Sequence, residues 1–204
     1  MGALREKLHE ERGASMLMAL LLLLVALMVS AVVIAAASSA ATTLRSDRAQ
    51  EQAALSVTSA AEYVRDAFQN GEMDGTISTA RTGGATYTLT RSGGAFSSFV
   101  KNAVPQVYNN ANAPAQQATF RLSVADEAVE DVWADFALSF GKDENSEYPT
   151  YVLTVTLRNY ETVPGEHPCS TVLLLYSNKT TRFDYSSWSY VDDVTWNGYS
   201  TIQR

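Results

Sequence analysis

"EERGASMLMALLLLLVALMV", residues 10–29, decides how the rest of the chain is read. Two glutamates, an arginine and a glycine are followed by a stretch that carries no charge. From Gly13 to Leu44 there are 32 residues, and none is acidic or basic. A helix rises about 1.5 Å per residue, so about 20 apolar residues cross a bilayer core. Met16 to Ala37 supplies 22 positions, interrupted only by Ser30, and the segment is expected to span a membrane. A secretory signal peptide competes for the same reading. It requires a basic n-region, an apolar stretch of about 7–15 residues and a small-residue cleavage site. "AVVIAAASSA" (31–40) would offer such a site, but the apolar stretch is too long and its upstream neighbours are Glu10, Glu11 and Arg12. The segment is expected to be kept.

Downstream the same helix is expected to continue. No Gly and no Pro occurs between Ala14 and Asn70, and these two residues are the strongest helix breakers. Gly71 is the expected stop. A helix over 15–70 would be roughly 80 Å long. In its second half Ala53, Val57, Ala60, Val64 and Ala67 recur at spacings of four and three, with Leu55, Ala61 and Phe68 widening the stripe. Glu51, Gln52, Ser59, Glu62, Arg65, Asp66 and Gln69 fall largely on the other side. The first half is therefore greasy all round, and the second half is amphipathic, fit to lie on a sheet.

These residues carry a family resemblance. "ERGASMLMALLLLLVALMVSAVVIAAA" (11–37) followed by "LRSDRAQEQAALSVTSAAEYV" (44–64) resembles the precursor of a type IV pilin-like protein. The resemblance implies a leader, residues 1–13, cut after Gly13 by a prepilin peptidase on the cytoplasmic side. Ala14 would become the mature, usually methylated, N-terminus. It implies a single-pass protein of the cytoplasmic membrane with its head outside. The bilayer and then other pilin or pseudopilin subunits would be its partners, in a surface pilus or a pseudopilus. The family normally has Glu at the fifth mature position; here that position is Met18. Main-body pilins also tend to carry a Pro in the apolar helix, and this one has none. These departures, with "RGASML" (12–17) and "SAAEYVR" (59–65), are similar to PilX-type minor pilins and to tip minor pseudopilins. The implied fold is α+β and pilin-like: a long N-terminal helix, half membrane-spanning and half amphipathic, packed on an antiparallel β-sheet head over residues 71–204.

The head has its own signals. "ATYTLTR" (85–91), "ATFRLSV" (118–124), "DVWADFALSF" (131–140) and "YPTYVLTVTLRNY" (148–160) alternate as half-buried strands do. "STVLLLYS" (170–177) and "TTRFDYSSWSYV" (180–191) flank Ser177-Asn178-Lys179 and read as a hairpin. Asn197-Gly198, between "VTW" and "YSTI", reads as a second hairpin turn. "VPQVYNNANAPAQQ" (104–117) reads as a long loop.

Charge and composition narrow the function. The 204 residues carry a net charge of −7, all of it after residue 13 because the charges of 1–13 cancel. An acidic head repels phosphate backbones, so no nucleic-acid contact is expected. Cys169 is the single cysteine, so no intramolecular disulfide forms. Catalytic chemistry has little to work with. His9 lies in the leader, and His167 with Cys169 falls short of the usual four zinc ligands. Asp143, Asn145 and Glu147 echo half a calcium loop but lack its sixth-position Gly and twelfth-position Glu, and turn chemistry explains them. Asp126, Glu127, Glu130, Asp131 and Asp135 read as a solvated face. No enzyme, no cofactor and no metal is expected. The late aromatics Phe183, Tyr185, Trp188, Tyr190, Trp196 and Tyr199 read first as cross-strand packing pairs and second as side chains that would stack on sugars or dock a partner subunit, with Trp188, Tyr190, Trp196 and Tyr199 as the ligand or partner face. A signal-anchored extracellular binding protein that never polymerises is the alternative to a fibre subunit.

Overall fold

The uninterrupted helical pattern and the alternating runs fold as helix followed by sheet. The computed structural model describes residues 2–79, 84–91, 93–110, 112–123, 131–141, 150–161, 164–165 and 167–203, with backbone alone for 2–15 and 202–203. Helix α1 spans Gly2–Gln69. Strands β1 (Gly75–Thr79) and β2 (Ala85–Leu89) precede helix α2 (Ser97–Val107). Then come β3 (Gln116–Leu122), β4 (Val132–Gly141), β5 (Thr150–Arg158), β6 (Ser170–Asp184) and β7 (Ser189–Gln203). The chain forms two compact units, Met1–Ala49 and Gln50–Arg204. Their border falls inside α1, so the amphipathic half of the helix clusters with the sheet.

In the first unit the backbone is helical from Gly2, so Gly13 lies inside a helical run and not at its start. The described side chains from Met16 to Leu44 are all exposed. This stretch is long and apolar enough to cross a membrane. Three of its hydroxyls are satisfied within the helix. Ser30 donates to the carbonyl of Ala26 at 2.8 Å, and Thr42 and Thr43 donate to that of Ser39 at 2.7 and 3.1 Å. Such back-bonding lets a polar group sit in an apolar surrounding without an unpaired donor.

The second unit is a seven-stranded sheet in the order β2-β1-β7-β6-β5-β4-β3, every neighbouring pair antiparallel. The last strand therefore returns to lie between the first and the sixth. Alternation predicts the faces well. Val132, Ala134, Phe136, Leu138 and Phe140 of β4 and Tyr151, Leu153, Val155 and Leu157 of β5 are buried. Ala53, Val57, Ala61, Val64, Ala67 and Phe68 of α1 are buried as well, while Leu55 is 61% exposed and does not belong to the stripe. Burying Val57, Val64 and Phe68 contributes roughly 6 kcal/mol of transfer free energy. The Phe68 ring meets Trp196 edge-on at 5.2 Å and lies 6.3 and 6.4 Å from Phe96 and Phe136. The helix stops where expected: Gly71 sits at φ +73° with its N–H on the Phe68 carbonyl at 3.3 Å, a left-handed conformation natural to Gly.

Three sequence expectations give way. Residues 104–107 are not loop but the last turn of α2, whose Val100, Ala103, Val104 and Val107 are buried at helical spacing. Ser177-Asn178-Lys179 is not a turn either, because β6 runs unbroken through it to Asp184. The connection to β7 is made by Tyr185–Trp188. Asn197-Gly198 lies inside β7. Tyr176 pairs with Gly198 and Ser177 with Trp196, so Asn197 is the extra residue of a β-bulge. A Cβ on Gly198 would lie 3.1 Å from that of Tyr176, which favours glycine there. The bulge has a consequence for facing: Trp196 and Tyr199, three apart, come to the same side of the sheet, opposite Ser177 and Leu175. Where the ladder is disturbed, the Ser177 hydroxyl accepts the Tyr151 N–H at 3.1 Å and is bonded to Thr150.

Candidate functional site

The residues singled out in the sequence fall into separate places. Gly13 and Ala14 lie on the helical backbone of α1, where the backbone alone is described. Met18 is 65% exposed among other apolar side chains of the first unit. The four late aromatics do not form one face. Trp196 is 2% exposed and packs against Phe68, so it belongs to the core and leaves the proposed ligand face. Tyr199 is half-exposed on the helix side, with the guanidinium of Arg65 5.6 Å from its ring centroid. Trp188 and Tyr190 stand at the β6–β7 turn, and Tyr185 stands with them.

That turn is built by one carboxylate. Asp184 accepts the N–H and the hydroxyl of Ser186 and the hydroxyl of Ser187, at 2.7–3.0 Å. Hydrogen bonds from Ser187 and Ser186 pull its carboxyl down to about 2. This is the Asx-type turn chemistry that Asp favours. Trp188 closes the turn at φ +52°.

A second polar cluster ties β6 and β7 to the segment after α2. Asp192 is 5% exposed. It accepts the Thr181 hydroxyl at 2.5 Å and the Tyr108 hydroxyl at 2.7 Å, and it pairs with Lys179 at 3.4 Å. Lys179 also donates to Asn109 at 2.9 Å. Burial alone would raise the Asp192 carboxyl; the hydrogen bonds from Thr181 and Tyr108 and the charge of Lys179 outweigh it and hold the carboxyl below its ordinary value of 3.8. A depressed folded-state value means that the stabilisation is full above 3.8 and is lost as pH falls through the folded value. Asp192→Asn is expected to lower stability at pH 7 by about 2 kcal/mol, the scale of a hydrogen bond to a charged group. It is also expected to flatten the acid limb of the stability curve. Urea melts at pH 7 and pH 3 check both, and equal losses at the two pH values would refute the assignment.

Of the other candidates, those among the described residues sit in structural contacts. The side-chain amide of Asn159 donates to the His167 carbonyl at 2.8 Å, and its side-chain oxygen accepts the Cys169 N–H at 2.8 Å, so the loop before β6 is clasped. Among the described residues no group of three His, Cys, Asp or Glu side chains could hold a metal ion. Asp143, Asn145 and Glu147 lie outside the described residues, as do Asp126, Glu127 and Glu130. Asp131 and Asp135 are in ion pairs, with Arg121 and Arg158 respectively. Asp135 also accepts the Thr119 hydroxyl at 2.7 Å, so β3, β4 and β5 are cross-linked on their outer face.

Comparison with protein-family models, with curated proteins and with solved structures finds no match to this chain.

Proposed function

We propose that this chain is a minor pilin or pseudopilin subunit, cleaved after Gly13 and assembled into, or at the tip of, a type IV pilus or secretion-type fibre. The observation that carries the reading is the division of labour along α1. Met16 to Leu44 is apolar and exposed on every side, whereas Ala53 to Phe68 buries one stripe in the core of a sheet. A helix that is apolar all round needs either lipid or other helices around it, and a fibre subunit meets both in turn. The α+β architecture is compatible with a pilin head, the leader and the glycine border support the family reading, and the missing acid at Met18 favours a minor over a main-body subunit.

Fractionation tests it. The chain is expected in sheared surface fibres or in a membrane-held pseudopilus, cross-linked to other subunits. A chain found solely as an uncross-linked membrane monomer would instead be an anchored binding protein. The place in the fibre rests on Met18. A carboxylate there costs about 2.5–3.5 kcal/mol in an apolar medium unless a cation pairs with it. In the fibre body, the mature N-terminal amine of a neighbouring subunit would supply that cation. Met18→Glu is therefore expected to move the subunit from rare to frequent incorporation, counted as copies per fibre by quantitative mass spectrometry. Unchanged copy number would remove the support for a tip position.

A further inference from the structure

The β6–β7 turn carries a group of rings for which a fibre subunit has no evident structural use. Tyr185, Trp188 and Tyr190 are 78%, 77% and 71% exposed. They are not loose. All three pack edge-on against Phe183, with ring centroids 5.1, 6.1 and 5.3 Å away and planes at 81°, 83° and 73°. Phe183 and Tyr190 face each other across the ladder, so the hub is fixed by strand pairing. Rings held in such edge-to-face contacts lose little freedom when a ligand arrives. Exposed aromatic side chains grouped in this way mark a contact surface.

The backbone adds an independent sign. Trp188 adopts φ +52°, a left-handed conformation that Gly and Asn take readily and a bulky aromatic residue rarely does. A turn selected for stability alone would place one of those residues there. Strain of this kind gathers where a side chain is needed in a particular direction.

Charge and area then select the ligand. The one carboxylate of the turn, Asp184, is turned back on Ser186 and Ser187, and Arg182, just before it on β6, pairs with Asp193 at 2.6 Å. The turn itself, residues 185–188, holds no basic residue, which disfavours phosphate-bearing lipids and nucleic acids. Three aromatic side chains offer about 450–750 Å², less than the about 800 Å² per partner of a stable protein interface. A pyranose ring needs far less: one apolar C–H face laid on one aromatic ring, with hydroxyls at its rim for hydrogen bonds. Tyr185 and Tyr190 carry hydroxyls on the rings themselves. We propose that Tyr185, Trp188 and Tyr190 form a stacking site for a neutral polysaccharide, oriented by Phe183 and by the Asp184 turn. The site does not depend on whether the chain polymerises.

The test uses the full chain in a zwitterionic, sugar-free detergent, titrated calorimetrically with the hexasaccharides of β-1,4-glucose, β-1,4-N-acetylglucosamine and α-1,4-glucose. Saturable binding of at least one is expected. Trp188→Asn, which suits the observed φ, is expected to weaken binding at least tenfold while leaving the melting temperature unchanged or raised. Tyr185→Ala is expected to weaken it in the same direction. Trp133→Phe, on β4, is expected to bind as the parent does. Three results would overturn the proposal: no binding of any of the three sugars, undiminished binding by Trp188→Asn, or Trp188-dependent quenching by brominated phosphatidylcholine in reconstituted vesicles without sugar binding, which would assign the tip to a lipid surface.

Discussion

Phe68→Ala is expected to lower the stability of the Gln50–Arg204 unit by about 3–5 kcal/mol, the range for removing a buried Phe. Phe68 has no exposed surface, and its ring is the point where α1 meets Phe96, Phe136 and Trp196. The cavity left by alanine would be lined by the rings of Phe96, just before α2, Phe136 of β4 and Trp196 of β7, and Phe96 and Phe136 also meet one another at 4.9 Å. Rings fixed by so many partners relax poorly, which keeps the cost high. For a domain of this size each kcal/mol shifts the midpoint by about 2–4 °C, so the melting temperature should fall by roughly 10 °C. Leu55→Ala, on the same helix, is the control. Leu55 is exposed, and its truncation should stay within about 0.5 kcal/mol. Thermal melts of the full chain followed by near-ultraviolet circular dichroism separate the two. Equal shifts would mean that α1 does not seat on the sheet through the stripe described.

Gly13→Leu is expected to have an all-or-none effect of a different kind. If a peptidase at the membrane surface must grip the chain at a small residue, a branched side chain at the border stops cleavage. The 13-residue leader then stays on, with its three acidic and three basic side chains. Charged side chains placed next to an apolar bundle are costly to bury, so the uncut chain should remain in the membrane and be missing from fibres. The head should be unaffected, because Gly13 belongs to the other compact unit. Its melting temperature therefore serves as the control for folding. Full-length chain in the fibre fraction would contradict this account.

How much of this was legible in the sequence depends on the element. α1 was legible because nothing between Ala14 and Asn70 breaks a helix and because Gly71 ends it. The strands β4 and β5 were legible because their alternation is strict along the whole of β4 and from Tyr151 to Arg158 in β5. α2 was missed although Val100, Ala103, Val104 and Val107 have helical spacing. Pro105 suggested a loop, yet it sits in the last turn, where only one backbone hydrogen bond is forfeited. The Asn197-Gly198 pair was misread because the same dipeptide suits a hairpin turn and a bulge; β6, fifteen residues long, offers a partner on both sides of it, and the extra residue is absorbed as a bulge. The true turn carries no Gly, Asn or Pro at all. Its signal was Asp184 followed by two serines, a carboxylate set to take local hydrogen bonds.

The candidate site followed the same logic. Aromatic residues in strands usually pack, and Trp196 does, against Phe68 on the face it shares with Val194, while the bulge that follows brings Tyr199 to that same face. Period-two counting cannot see which residue a bulge will move. Nor can it see that Tyr185 and Trp188 fall in a turn, because that depends on where β6 stops. The polar tie at Asp192 was equally hidden, since Tyr108, Lys179 and Thr181 come together only through the sheet order.

The most direct measurement is the mature N-terminus of the native chain, read by mass spectrometry of protein isolated from membranes and from sheared fibres. The fibre-subunit account predicts a chain that begins at Ala14, with or without a methyl group on its amine. A chain that begins at Met1, or one cut near Ser38 to Thr42, would contradict it.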